Sequence, residues 1–414
     1  MALDMAGHAR RVSQWSATAL GFSIPVSTAL DNVLIVITLV AWLLSGQIRE
    51  LKNYSFKNKH LLFSVLLFGL LALGTLYGDT AWREAKSTLG KYADLLLIPV
   101  FAFVLRDRDA RDKALLAFAI AIAIVVVLSP LVRFNLLPAL PFITGDATSP
   151  TVFKLKITHS LLVAFGAFLF VWLGSTSRSP RLRAVWSVFA LLAVVNVMLL
   201  VKGATGYITL GLLSIVLVWE RTRGRGFAFG MLGLAVVIAV LLATPNPFQD
   251  RVLLIVKEVR EWRADTAVDE GTSTGLRLEF YRGTLGLIAA HPIVGVGTGG
   301  FRAAYAQHVK GSGRAETHNP HNEYLHITAQ IGFAGLIVLI AMFWQQWRSA
   351  RRLDSPMAQA LARGLVLTMV AGCMVNSLLL DHAEGLFYAW LSGLLYGALS
   401  SLKYGPSKPA ATTT

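Results

Sequence analysis

The run Thr317-His318-Asn319-Pro320-His321-Asn322-Glu323-Tyr324 places two imidazoles, four amides or hydroxyls and a carboxylate within eight positions. Histidine is the side chain whose ordinary charge change falls near neutral pH. Asn followed by Pro is a helix-start signal. It predicts Asn319 at the N-cap, Pro320 at N1 and His321 at N2 of the apolar helix that follows, with Glu323 in the same first turn. The positive end of the helix dipole disfavours a protonated His321, and a neutral imidazole can accept a proton, as a general base must. The free N–H groups there also suit an anion. A lone histidine at a helix start is commonly structural. Two of them in one Asn/Pro turn, next to a segment rich in arginine, favour chemistry.

That segment has its own pattern. Ser273 or Thr274 can cap a helix running from Gly275 to Ala290, and His291-Pro292 ends it. Arg277 and Tyr281 are four apart and share a face, while Leu278 and Arg282 share the next one. Gly295, Gly297, Gly299 and Gly300 follow. Such glycines can gather N–H groups around a phosphate, but no strand and helix flank them as in a dinucleotide motif, so a plain turn is expected. Upstream, Val252, Ile255, Val256, Val259 and Trp262 recur at helical spacing between Phe248 and Asp265. That helix either packs on the rest of the segment or lies in a membrane interface. Asp381, His382 and Glu384 form a short polar turn, either solvated or placing Asp381 beside His321 or Arg277. Lys154 and Lys156 either guide an anionic lipid or mark a helix edge. His318, His321 and Glu323 have loose ligand spacing, but the lone Cys373 sits in an apolar run and no second carboxylate cluster supports a metal site.

The elements that carry these residues are apolar. Of 414 residues, 55% are hydrophobic and 15% charged, with a mean hydropathy of +0.59. Soluble domains carry about 45–50% apolar and about 25% charged residues. The composition excludes a disordered chain, and one cysteine excludes a disulfide scaffold. A net charge of +15 suits either an anionic polymer or basic loops on one face of a bilayer. A spanning helix needs about 20 mostly apolar residues. Candidate spans fall near 12–29, 31–46, 60–77, 88–105, 113–133, 156–174, 183–201, 204–220, 226–243, 324–346, 358–380 and 384–402. With both termini inside, most of the 38 Lys and Arg fall in inside segments, so the charge is largely a topology signal and no nucleic-acid partner is expected. Arg10-Arg11 precede an apolar run without a small-residue cleavage site, so the first span is expected to stay uncleaved. The expected fold is an all-α integral membrane protein of about 12 transmembrane helices. Residues 1–243 hold spans one to nine, 244–323 form one large helical outside loop, 324–402 hold spans ten to twelve, and 403–414 form an inside tail.

His321-Asn322, then nine residues, then Gly332-Phe333-Ala334-Gly335 resembles the signature of the O-antigen ligase and polymerase superfamily. The block from Arg277-Leu278 through His291-Pro292-Ile293-Val294-Gly295-Val296-Gly297 resembles it too. Within the superfamily the layout is most similar to O-antigen ligases of the WaaL type. That resemblance implies a Gram-negative inner-membrane glycosyltransferase with cytoplasmic termini and a periplasmic active site. It would transfer a polysaccharide from undecaprenyl diphosphate to lipid A–core oligosaccharide, with no cofactor and no metal. One departure stands out. Where the family has an arginine in a Ser-Arg-Thr-Gly-like turn, this chain reads Lys202-Gly203-Ala204-Thr205-Gly206-Tyr207, with Ala204 at the arginine position. Lys202 is the nearby cation, and a lysine meets phosphate as a point charge where arginine binds in a bidentate fork.

The implied chemistry assigns roles. Negative charge builds on the departing diphosphate, and fixed cations can stabilise it. Arg277 is the first candidate, followed by Arg282, Lys202 and Arg302. His321 would serve as general base, and His318 would orient the acceptor or a phosphate. Asn322, Tyr281 and Asp381 are secondary. A single displacement would invert the anomeric carbon. A polymerase is the close alternative. A transporter is less favoured, because charged residues within the spans are sparse.

Overall fold

The computed structural model describes residues 2–138, 140–222, 224–262, 273–312 and 314–401. Every regular element among them is helical. In chain order these are α1 (Ala2–Val26), α2 (Thr28–Leu44), α3 (Ile48–Lys57), α4 (Lys59–Gly74), α5 (Trp82–Lys91), α6 (Asp94–Val104), α7 (Arg108–Arg133), α8 (Lys156–Thr176) and α9 (Pro180–Val195). A π-helical turn, Asn196–Leu200, follows α9. The chain continues with α10 (Ala204–Arg221), α11 (Arg225–Ala243), α12 (Pro247–Glu261), α13 (Ser273–Ala290), α14 (Phe301–Val309), α15 (Glu323–Ala350), α16 (Pro356–Val375) and α17 (His382–Tyr396). Residues 263–272, which hold the expected end of the amphipathic helix at Asp265, and the tail 403–414 lie outside the described residues.

Each expected span is helical, but not each is a span by length and composition. Seven stretches qualify: Trp82–Val104, Arg108–Arg133, Lys156–Thr176, Pro180–Leu200, Arg225–Ala243, Glu323–Ala350 and Pro356–Val375. An eighth arises if α2 and Ile48–Ser55, bent by 102°, form one broken span. Of the expected twelve, α1 is diluted by serines and Arg10-Arg11, α10 closes on Glu220-Arg221, and α4 and α17 are short.

The bundle is organised around α8 and α17. The apolar stretch of α8 is 83% buried, and α17 is buried at every position from Glu384 to Tyr396. α17 is anchored by the Trp390 indole N–H, which donates to the Ala17 carbonyl at 3.0 Å. The Tyr388 hydroxyl donates to Gln346 Oε1 at 2.8 Å. α11 is the opposite case: none of its residues is buried, and among the described residues it packs chiefly along α10 and α12.

The tenth expected span is broken. Ile331 (φ −131°, ψ 22°) and Gly332 (φ 68°, ψ −170°) interrupt α15 one-third of the way along. The break frees carbonyls that an unbroken helix would use, and the glycine segment after α13 satisfies them. Val296 N–H donates to Ala329 O and Gly297 N–H to Gln330 O, both at 2.9 Å. Phe333 N–H donates to Pro292 O at 3.0 Å in return. A side chain at Gly332 would overlap the Ile293 carbonyl oxygen.

Substituting Gly332 by Ala therefore combines a left-handed φ with a backbone overlap, and a strained residue of this kind costs about 1–3 kcal/mol before any overlap. Thermal unfolding in detergent should show G332A well below the parent. G90A, whose Cβ meets nothing within 4 Å, should unfold at or slightly above it.

Candidate active site

His321 stands just ahead of α15 rather than inside its first turn. The N-cap is Asn322, whose Oδ1 accepts the Leu325 N–H at 3.0 Å, so the helix begins at Glu323. Asn319 cannot cap as expected because its Oδ1 is taken: it accepts the His321 N–H at 2.8 Å and the Ser377 hydroxyl at 2.7 Å. His321 adopts φ 54°, a left-handed conformation unusual for a residue with a side chain. The Tyr281 hydroxyl, 3.2 Å from the His321 carbonyl, donates to Met374 O at 2.9 Å, and the Asn322 amide donates to the same Met374 oxygen at 2.9 Å. The imidazole lies against Phe280, with ring centroids 6.3 Å apart. Burial first, then the charges of Arg277 and His318, hold its pKa below the ordinary histidine value. The ring is therefore neutral near pH 7 and able to take a proton.

Behind this turn Glu323 is fully buried and ties three elements together. It accepts the Tyr92 hydroxyl at 2.7 Å and the Leu379 N–H at 3.0 Å. Its carboxylate is spent on structure. Among the described residues no group of three or more His, Cys, Asp or Glu is arranged to hold a metal ion.

A cavity of about 430 Å³ opens beside the turn, at the starts of α8, α10 and α13. Lys156, Lys202, Arg251 and Arg277 line it against Asp250 alone. It exists because two glycines admit a close crossing: a Cβ at Gly206 would sit 2.7 Å from Ser160 Cβ, and one at Gly203 would sit 3.2 Å from Ser160 Oγ. Ala204 faces the same cavity, so the missing arginine leaves space there, and Arg251 of α12 supplies a guanidinium in its place. Burial, with Arg251 nearby, lowers the Arg277 pKa from its ordinary value. Its Nη2 donates to Asn376 Oδ1 at 3.4 Å, and the Asn376 amide reaches Thr205 Oγ1 at 3.1 Å. Four cations facing one carboxylate form a site for a multiply charged anion.

The remaining candidates do not gather there. Arg302 and His318 line a different cavity of about 420 Å³, with Arg83 and Lys91. Arg282 is half-buried on α13 and lines neither cavity. The charged neighbours acting on the exposed Asp381 are Lys91 and His318, so it belongs with His318. Lys154 is no lipid guide: it is buried and paired with Asp31 at 3.3 Å, and it also donates to Thr28 Oγ1 at 2.8 Å. Lys156 does face the first cavity. The glycine segment holds no phosphate cradle. The N–H groups of Gly295, Val296, Gly297, Thr298, Gly299 and Gly300 all donate within the protein, to His291 O, Ala329 O, Gln330 O, Gly74 O, Gln330 Oε1 and Gly297 O.

Sequence reasoning missed Arg251, Thr205 and Asn376 as site residues and left Lys156 open between lipid guide and helix edge. Arg251 was legible as a cation on an amphipathic helix, but not as one turned toward Arg277. α12 starts at Pro247, capped by Asn246, and its Glu258 carboxylate accepts the Thr274 N–H at 2.9 Å, which fixes its rotation against α13. Leu253, Val256 and Val259 stay exposed, so the described residues do not cover its apolar side.

Arg277 lowers the His321 pKa through its charge, so removing that charge should raise it. An R277Q variant followed by histidine-selective NMR should show the His321 titration moved to higher pH. An unmoved titration would mean that Arg277 and His321 do not share one electrostatic environment.

No curated protein matches the chain. A family match covers residues 147–340, which contain Lys202, Arg251, Arg277, Tyr281, Arg302, His318, His321 and Asn322 but not Asp381. Those residues match the family model described as O-antigen ligase, and the match supports membership of the O-antigen ligase and polymerase superfamily.

Proposed function

We propose that the protein is an O-antigen ligase. It would transfer a polysaccharide from undecaprenyl diphosphate onto lipid A–core oligosaccharide at the periplasmic face of the Gram-negative inner membrane. The observation that carries this reading is the convergence of Lys156, Lys202, Arg251 and Arg277 on a cavity beside a histidine kept neutral by its surroundings.

The step balances as follows. The acceptor hydroxyl oxygen attacks the anomeric carbon, and its proton passes to the free imidazole nitrogen of His321. The bond from the anomeric carbon to the diphosphate oxygen breaks, and the electron pair leaves with undecaprenyl diphosphate. One displacement inverts the configuration. The leaving group is weakly basic and departs without a proton, so the cations do the main electrostatic work. Arg277 would bind from a half-buried position where its attraction is only partly screened. Lys202, more exposed, adds a point charge at the rim. Tyr281 and Asn322 hold the His321 turn through Met374.

Transfer of lipid-linked glycan to lipid A–core by purified protein tests the roles. His321→Ala should lose about 10²–10⁴-fold in kcat, the usual worth of a general base. Arg277→Ala should lose about 10²–10³-fold, as for one donor aimed at developing charge. Near-parental transfer by either variant removes that residue from the mechanism. The base acts in its neutral form, so activity should fall on acidification only below the ordinary histidine value of 6.5, and R277Q should move that acid limb to higher pH. A deletion strain separates ligase from polymerase. Loss of a ligase leaves long lipid-linked polymer untransferred, whereas loss of a polymerase leaves single repeat units.

A further inference from the structure

The second cavity, about 420 Å³, is a separate basic site that the transfer step above does not use. Arg83 and Lys91 come from α5 and Arg302 from the start of α14. Two of these elements are brought together by a glycine contact: a Cβ at Gly299 would sit 2.8 Å from Ala85 Cα, so the start of α14 lies directly against α5. Among the described residues no ion pair or side-chain hydrogen bond holds Arg83, Lys91 or Arg302. The carboxylates nearby are Glu84, on the wall, and Asp381, which acts on Lys91 and His318. His326 and Gln330 form a buried polar floor.

An apolar shoulder adjoins these cations. Trp82, next to Arg83, is 65% exposed, and Leu76 and Ile293 are 76% and 78% exposed. The shoulder is one surface, because the Tyr77 hydroxyl donates to the Val294 carbonyl at 2.6 Å and joins the end of α4 to the turn after α13. Basic residues beside exposed aromatic and aliphatic side chains suit an amphiphile with an anionic head.

One short segment links the two cavities. His318 lines this cavity, and Arg277, acting on His321 three residues later, lines the other. A transfer reaction needs donor and acceptor to meet at the base from different directions. Resting on the ligase reading, we propose that the cavity of Arg83, Lys91 and Arg302 binds the phosphate groups of the glycolipid acceptor, and that the cavity of Arg277 is left to the donor diphosphate.

The test uses full-length protein in detergent, the triple variant R83Q/K91Q/R302Q, and acceptor with and without its lipid A phosphates. Charge-assisted contacts to phosphate are worth about 1.5–3 kcal/mol each, so losing them should raise the acceptor KM about tenfold or more. Removing the phosphates from the acceptor should raise the KM of the parent similarly and add nothing in the variant. Donor KM should stay within about twofold in both. An unchanged acceptor KM, an equal loss with both acceptors, or a raised donor KM overturns the assignment. Binding of fluorescent diphosphoryl lipid A to the His321→Ala protein needs no turnover. Tight binding that the triple substitution abolishes supports the subsite even if transfer to lipid A–core is never observed, which would count against the ligase reading alone. Phosphatidylglycerol vesicles that compete as well as lipid A would instead make the cavity a general headgroup site and overturn the proposal.

Discussion

The carbonyls of Ala329 and Gln330, set free where α15 breaks at Ile331 and Gly332, are the constraint on which the site depends. In the interior of a membrane protein an unpaired carbonyl costs several kcal/mol, so a broken helix persists only where something else donates. Here the donors are Val296 and Gly297. The same exchange pins the turn between α13 and α14 against α15, and Thr298 extends it to α4 by donating to Gly74 and Leu71. Arg277 precedes that turn, Arg302 follows it and His321 stands at the head of the broken helix. The backbone repair and the positioning of the three side chains are one structural event.

Electrostatics then divides the site end of the bundle. Four cations meet one carboxylate in the cavity of Arg277, and three more surround the cavity of Arg302. These like charges are tolerable because the two sets line separate cavities and because α5 and α12 present theirs at exposed or half-exposed positions. His321 takes the consequence. Its ring is partly buried and lies near the Arg277 guanidinium, and both disfavour the imidazolium. At the opposite end of the bundle, where α7 and α16 start, the arginines are internally matched: Arg111 meets Asp354 at 3.8 Å, and Arg363 pairs with Glu220.

The residues of the site were easier to read than their arrangement. His321-Asn322, Arg277 and Tyr281 stand out because polar groups in an apolar chain are costly unless used. The glycine run was read as a turn, and six satisfied N–H groups bear that out. The helix start was misplaced by three residues because Asn319 and Asn322 are equally able caps. Ser377, 58 positions away, engages the Asn319 side chain and leaves the cap to Asn322. Lys154 read as a surface cation because its partner, Asp31, lies 123 positions earlier. Glu323 looked available for chemistry until Tyr92 and Leu379 were found to occupy it.

Local rules are short-ranged, and they account for what the sequence determined by itself. Apolar runs set the helices, and the cluster of imidazole, guanidinium and glycine marked residues 275–335 as the candidate region. Pairing was decided elsewhere. Whether a cation is spent on a buried carboxylate or left facing a cavity depends on which helices cross and how each is rotated, and one turn of α12 or one break in α15 changes that without altering local periodicity. Only the tertiary structure therefore separated Arg302 from Arg277, brought Arg251 to the place where Ala204 leaves space, and divided one list of basic residues between two cavities.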